Sequence, residues 1–443
     1  MSRDSSRLRA GRALLSLLAL LVVPHPSSAA DLTQPPAIMR EVGETGPVDS
    51  RKLILPYVFA TETLDIAGGA AFGASAWPQE QSSLFSAVLG TSNESWGLFF
   101  VGTSLKVAGT QRLFVDTSAS LGRYTDLRSY IDGNPEYPDS RAGSNDSDPN
   151  DFISGKGNHN WLLLNLKYVL PIGHARHSAI ANYVLDRGIL VSGATGAESW
   201  NPFRSGRTLL QLEPFVIERT YDVPDDVPGG RTNGLAISVL HDNRDFSPNP
   251  SRGTTTTLRL VRDFGKFGST TSWTTVDGKF SKYFYLGSTR HTRQQVWAFN
   301  AWTADSPTWE EWETDEGTFY DHRPPPYLGT TLGGYLRMRG FPQYRFSDKA
   351  AVYYGLEYRV IPEWNPLGSI SWLRWLRIDW WQWVPFAEAG RVADHWNLSE
   401  LHSDMKWDVG LGLRLMTAKV VVRADTAVSE EGFHIWAMVG QAF

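Results

Sequence analysis

From Arg51 onward apolar and polar residues alternate with a period of two, the spacing of strands whose successive side chains point to opposite faces. Leu162, Leu164, Leu166, Tyr168 and Leu170 share one face, opposite Leu163, Asn165, Lys167 and Val169. The pattern sharpens toward the C-terminus. Val352, Tyr354, Leu356, Tyr358 and Val360 oppose Tyr353, Gly355, Glu357 and Arg359, while Val409, Leu411, Leu413 and Leu415 oppose Asp408, Gly410, Gly412 and Arg414. Val420, Val422, Ala424 and Thr426 likewise oppose Lys419, Val421, Arg423 and Asp425. Counted back from Phe443, the pattern predicts strands at 432–443, 419–428, 406–416, 379–390, 348–361, 292–303, 269–284 and 253–264, with 206–219 and 233–243 among those before them. The expected total is about 16 strands, with two either way. Residues 53–205 resist a consistent assignment. If 158–170 and 178–192 are separate strands, the polar stretch 124–157 falls on the periplasmic side, where connections are short.

Alternation alone does not separate a soluble sandwich, with its charged faces in water, from a membrane barrel, with apolar residues on lipid and charges in the lumen. Three features favour the barrel. The chain begins with Arg3, Arg7, Arg9 and Arg12, an apolar run from Ala13 to Val23 and a small-residue site at Ser28-Ala29-Ala30, which read as a signal peptide over residues 1–30. Aromatic residues are abundant, 18 Trp, 16 Tyr and 21 Phe, as the two interfacial girdles of a barrel require. The last predicted strand puts Phe433, Ile435, Ala437, Val439, Gln441 and Phe443 on one face, so the chain ends inside a strand, which suits closure of a barrel. The fold predicted is therefore all-β, a transmembrane antiparallel β-barrel over residues 53–443 in the bacterial outer membrane. Residues 31–52, with Pro35, Pro36 and Pro47, read as an irregular periplasmic lead-in, shorter than the roughly 50 residues of a small domain.

Charge and composition narrow the chemistry. No run after the leader approaches the roughly 20 apolar residues of a membrane helix, and the mean hydropathy is −0.28. Zero cysteines in an exported chain exclude disulfides and thiol chemistry. A net charge of −5 gives no support for a nucleic-acid partner. The stretch 124–157 carries Asp126, Asp132, Glu136, Asp139, Asp146, Asp148 and Asp151. Its Asp146-Ser147-Asp148-Pro149-Asn150-Asp151 has no closing glutamate for a calcium loop, so a solvated loop is expected. Trp372, Trp375, Trp380, Trp381 and Trp383, with Arg374 and Arg377 between them, read as an interfacial anchor. His174 and His177 read as a polar turn. There is no nucleophile elbow, phosphate loop or zinc-binding helix motif, so neither enzymatic activity nor a cofactor or metal is expected.

Two stretches rise above composition. His241 to Gly253 ends one strand and restarts another through a Pro/Asn turn, with Asp242, Arg244 and Asp245 able to pair locally before Pro250, Arg252 and Gly253. Leu332 to Phe346 is a basic, aromatic loop punctuated by Gly333, Gly334 and Gly340, with Arg337, Arg339 and Arg345 among Tyr335, Phe341 and Tyr344. Together with Phe386-Ala387-Glu388-Ala389-Gly390, these stretches resemble the BamA/TamA superfamily of outer-membrane assembly barrels, also called the bacterial surface antigen family. In that family a long sixth surface loop folds into the lumen with an Arg-Gly-Phe or Arg-Gly-Tyr tip, matched here by Arg339, Gly340 and Phe341.

The resemblance implies that Arg339 meets an acid on the thirteenth strand, where Glu388 stands beside Gly390. The family more often has aspartate there, and glutamate keeps the charge with a longer reach. Counting strands without the family also puts the loop between strands eleven and twelve and Glu388 on strand thirteen. Glu357, Arg359, Arg414, Arg423 and Asp425 are candidates to line the same lumen, either as part of one network or as solvated pore-wall charges. Family members usually carry periplasmic POTRA domains, for which the lead-in is too short, so a separate periplasmic partner is expected to supply that function. The implied role is insertion, assembly or translocation of outer-membrane protein or lipid clients, in contact with outer-membrane lipids. A passive pore with a charged lumen and, behind it, an enzyme site built on a barrel are the alternatives.

Overall fold

Alternating apolar and polar side chains become strands here because each backbone group finds a neighbour in one continuous antiparallel ladder. In the computed structural model residues 38–443 are described, apart from 44–45, 48–49, 62–64, 139, 223–229, 315–316 and 418–419. The predicted leader and the start of the lead-in lie outside the described residues. Sixteen strands form the sheet. The first eight are β1 (Arg51–Thr61), β2 (Asp65–Ser75), β3 (Ser83–Thr91), β4 (Trp96–Lys106), β5 (Leu113–Ser129), β6 (Ile153–Val169), β7 (Arg207–Tyr221) and β8 (Gly230–Arg244). The second eight are β9 (Gly253–Phe264), β10 (Ser272–Thr289), β11 (Thr292–Asp305), β12 (Ala350–Pro362), β13 (Ile378–Ala393), β14 (Lys406–Thr417), β15 (Val420–Ser429) and β16 (Gly432–Val439).

Each strand pairs with its sequence neighbours, from β1 through to β16. At the edges, Tyr57 of β1 and Ala437 of β16 belong to one buried cluster. Strand number and the inside-outside assignment agree with the alternation. Leu162, Leu164, Val409 and Leu411 are exposed, whereas Leu163, Lys167, Asp408 and Arg414 are buried inside. Exposed Ile54, Val88, Leu98, Phe100, Leu258 and Leu356 extend this apolar outer surface around the sheet. Such a band, far larger than a soluble monomer leaves uncovered, is what lipid requires.

Several expectations are corrected. The segment 178–192 is no barrel strand: it holds only the short pieces Ala181–Tyr183, Leu185–Asp186 and Ile189–Leu190, and Arg187 and Gly188 break the alternation with φ of 43° and 75°. Residues 170–206 therefore form one long connection between β6 and β7, at the end of the barrel opposite the Arg339 loop. The connection between β5 and β6, residues 130–152, accordingly lies at the same end as that loop. It is not simply solvated. Asp151 and Asn145 are buried, and Arg141 pairs with Asp348 at 2.8 Å.

The lead-in is not irregular throughout. Met39–Gly43 is a strand whose Met39, Arg40 and Glu41 pair in parallel with Ala181, Asn182 and Tyr183. Met39 and Ala181 are buried with Phe246, Ile361, Trp380, Met416 and Val421, so lead-in and β6–β7 connection together close that mouth. Trp380 is thereby removed from the proposed interfacial anchor. It points inward, and its indole N–H donates to the Gly188 carbonyl at 2.9 Å.

The C-terminus also departs from expectation. Strand β16 stops at Val439, because Gly440 at φ 91° turns the chain off the ladder. Phe443 then packs inside against Tyr283, Val296 and Ala298, not on the outer face. The backbone oxygen of Phe443 accepts from the Arg359 guanidinium at 3.0 Å, and the guanidinium lies 5.1 Å from the Phe443 ring. An inward-facing cation thus draws the tail off the outer face.

Candidate functional site

The loop between β11 and β12, residues 306–349, enters the lumen and places Arg339 among three carboxylates. Its guanidinium contacts Glu388 of β13 at 3.2 Å, Glu357 of β12 at 3.0 Å and Asp425 of β15 at 2.8 Å. The backbone N–H of Arg339 donates to the second Glu388 oxygen at 2.7 Å, so Glu388 holds both ends of the residue. Below the guanidinium lies the Phe386 ring. That ring in turn covers Gly410 of β14, where a Cβ would come within 2.2 Å of it. A flat cation stacked on an aromatic face and forked onto several carboxylates suits arginine and not lysine.

Gly340 and Phe341 complete the tip. The Gly340 N–H donates to Asp408 at 3.0 Å, and its carbonyl accepts from Ser429 at 2.5 Å. A Cβ at 340 would stand 2.5 Å from the Asp408 Cβ, so the wall tolerates only glycine at this approach. Phe341 is fully buried with Leu332, Met338, Phe346 and Tyr353. Gly390 of β13 leaves the room this cluster needs, since a Cβ there would lie 2.9 Å from Leu332 and 3.3 Å from the Met338 sulfur. Trp436 of β16 donates its indole N–H to the Arg339 carbonyl at 2.7 Å, which ties the last strand to the loop.

The candidate lumen charges share this network and are not solvated wall groups. Glu357 also meets Arg359 at 2.7 Å and Arg414 at 2.6 Å, and all three are buried. Arg423 pairs with Asp425 and donates to the Tyr335 carbonyl of the loop at 2.8 Å. Arg414 reaches Gln441 of the inward-turned tail. The remaining loop arginines are placed as well. Arg345 contacts Glu431 at 2.9 Å and donates to Ser147 at 2.8 Å, and Arg337 stacks 3.9 Å over Trp302. Sequence reasoning did not single out Asp408, Tyr353, Ser429 or Trp436. Alternation already put Asp408 and Tyr353 on the charged face, but nothing in the sequence marks which inward residue the loop tip will touch.

The turn motif lies at the opposite end. Asp242 takes the Arg244 guanidinium in a two-pronged contact, with both distances 2.8 Å. Asp245 gathers the turn by accepting from the backbone N–H groups of Phe246, Ser251 and Arg252 at 2.9, 2.9 and 3.1 Å. Pro250 is buried and Arg252 stacks 4.8 Å over Tyr285. Gly253 has φ 94°, and a Cβ there would lie 1.9 Å from the Asn243 carbonyl oxygen, so the ladder restarts only with glycine. Asn243, between the two acids, accepts from Ser205 at 2.6 Å and from the Ala197 N–H at 2.9 Å. The motif is therefore also the dock for the β6–β7 connection, a role that a bare hairpin turn does not have.

The His174 ring meets the Thr195 carbonyl and Glu198. Among the described residues, Asp394, His395 and Glu400 alone bring three metal-type donors together, and they are already bonded to one another on an exposed loop.

A sixteen-stranded antiparallel sheet with an apolar outer band and a lumen filled by its own loop defines an outer-membrane barrel of the loop-plugged kind. Residues 229–434 match the Omp85 superfamily domain, which spans the turn motif, the loop and its wall. That match places residues 229–434 in the Omp85 superfamily domain. No curated protein matches it in sequence. Among solved structures it is similar to BamA from Haemophilus ducreyi lacking POTRA domains 1–3, at 12% identity and a TM-score of 0.44 over 98% of this chain and 77% of that one. It is also similar to CdiB from Acinetobacter baumannii, at 13% identity and a TM-score of 0.49 over 88% of this chain and 60% of that one. CdiB from Escherichia coli gives 12% identity and a TM-score of 0.52 over 91% of this chain. The chain spans 66% of the length of that protein.

Proposed function

We propose that this barrel assists insertion or translocation of outer-membrane proteins or lipids through the seam between β1 and β16, and that it performs no catalysis. The observation that carries the reading is the occupied lumen. Met338, Arg339 and Phe341 are fully buried inside the barrel at one end, and Ile38 and Met39 are buried at the other. A passive pore needs a continuous water path, which a lumen so filled does not offer. What remains for work is the wall. Strand β16 pairs with β15 only from Ser429↔Gly432 to Val422↔Val439, and Gly440 to Phe443 leave the ladder for the lumen. A short terminal strand costs less to part than a full-length one.

The loop then serves as the frame against which the seam works, because Arg339 ties β12, β13 and β15 together while Trp436 links β16 to the same tip. The clients are unfolded outer-membrane chains or lipids. A separate periplasmic partner belongs to this reading, and it would meet surfaces other than the buried Ile38 and Met39. Depletion of the protein, followed by quantitative comparison of outer-membrane proteins and of lipid asymmetry, tests the reading. Selective loss of particular barrels or surface exposure of phospholipid is the expected result, and an unchanged membrane overturns it.

A further inference from the structure

The outward positions of β14 and β15 near the β12–β13 connection break the rule that outward apolar residues are exposed. Leu415 and Val422 lie on the lipid face by alternation, yet they are only 4% and 5% exposed. What covers them is the connection itself. Pro366–Ser369 is a single helical turn capped by Asn365, and Ser371–Leu376 continues as a 3₁₀ turn. Leu367, Ile370, Leu373 and Leu376 recur every third residue, the repeat that places side chains on one face of such a turn, and they pack with Leu415, Val422 and Trp381. The segment is fastened to the wall, since Asn365 donates to the Ile378 carbonyl at 3.2 Å and Trp381 donates to the Trp364 carbonyl at 2.8 Å. Leu55 of β1 packs against the same cluster.

Its other face has a different character. Trp364 and Trp375 are 69% and 50% exposed, and Arg374 and Arg377 are exposed beside them. Among the described residues no ion pair joins Arg374 or Arg377 to an acid, and the nearby Glu363 is engaged by Arg187 at 3.6 Å. Further along the outer face of β14, Leu411 and Val409 belong to the exposed apolar band. Tryptophan rings flanked by unpaired arginines at the rim of an apolar band match a headgroup layer carrying net negative charge.

We propose that Trp364, Arg374, Trp375 and Arg377 form a binding surface for anionic phospholipid headgroups, set on a segment packed against the outer face of β14 and β15 at the end opposite the Arg339 loop. The inference rests on the membrane placement of the barrel and not on which client it handles. A bound headgroup holds the segment against Leu415 and Val422, and so stiffens the wall of β14 and β15 beside the seam.

The test uses the full-length protein reconstituted in POPC vesicles, in POPC with a minor fraction of POPG, and in POPC with lipid A. The midpoint of heat-modifiable gel mobility is read in each. Wild type is expected to gain a few degrees with POPG at low salt and to lose the gain at high salt. Arg374→Gln/Arg377→Gln should match wild type in POPC and show no gain with POPG, while Arg374→Lys/Arg377→Lys should restore most of it. Trp375→Ala should reduce the gain independently of charge. The proposal is overturned if wild type shows no POPG effect, if the glutamine variant keeps it, or if lipid A stabilises as much as POPG. Each outcome is independent of whether depletion alters outer-membrane composition.

Discussion

At the residue scale the three-acid cage around Arg339 makes charge reversal informative. Removing one partner of a buried ion cluster strands the others, a loss of about 3–5 kcal/mol where measured. Arg339→Ala leaves Glu357, Glu388 and Asp425 without their shared cation, so heat-modifiable mobility should be lost at markedly lower temperature. Arg339→Glu should be worse, since it adds a fourth acid. Glu388→Arg in that background should rescue only in part, because Glu357 and Asp425 still face position 339. Full rescue would mean a simple pair, and no rescue would mean that Glu388 is not a partner. Gly340→Ala tests the close approach without changing charge, and the crowding against Asp408 predicts loss of the tip's protection from protease.

The exposed His395 provides a different check at the same scale. Its hydrogen bond to Asp394, and then the Asp394 charge, raise the imidazole above its ordinary range, with Glu400 3.0 Å from the other nitrogen. A folded value above the unfolded one means the stabilisation is complete below the ordinary histidine range and is lost as pH rises through the raised value. NMR titration of His395 should show a lower midpoint in Asp394→Asn than in wild type. An unchanged midpoint would refute the pairing.

At the element scale, what was legible depended on contrast between the two faces of a strand. From β9 to β16 much of the lumen face is charged, as at Glu357, Arg359, Glu388, Asp408, Arg414, Arg423 and Asp425, so alternation marks each strand within a few residues. In the N-terminal half the lumen face is itself apolar. Phe99, Tyr124, Trp161, Leu163 and Phe215 are buried inside in one cluster with Tyr327, Leu328 and Tyr344. With apolar residues on both faces the period-two signal fades. In β2 the sequence Ala67-Gly68-Gly69-Ala70-Ala71 carries almost none, because Tyr57 lies across it and a Cβ at 69 would meet its hydroxyl oxygen at 2.8 Å. The plug formed by the lead-in and residues 170–206 was illegible for another reason: a two- or three-residue strand pairing across about 140 positions leaves no local pattern. The turn motif was legible as a turn, while its docking role through Asn243 was not. Gly253→Ala is expected to lower the yield of folded barrel and leave transcript levels intact, since the clash lies in the ladder between β8 and β9. A normal yield of heat-modifiable protein would show that the ladder accommodates it.

At the scale of the whole molecule the lumen is obstructed twice in series. One obstruction is the Arg339 loop, reinforced at that end by residues 130–152 through Arg345 and Ser147. The other is the lead-in strand and the β6–β7 connection, held by the turn motif and by Trp380. For two barriers in series, current is governed by whichever remains, so removal of one should change little. In planar bilayers, wild type is expected to be nearly silent. Arg339→Ala alone should give brief, small openings, because the far mouth stays closed. Replacement of 173–200 by a short Gly/Ser turn, with deletion of 38–47, should likewise conduct little while the loop is pinned. The combination should give a steady conductance well above the sum of the two. If either change alone opens the barrel as fully as both, the obstructions are not independent, and the loop and the plug must be released as one unit.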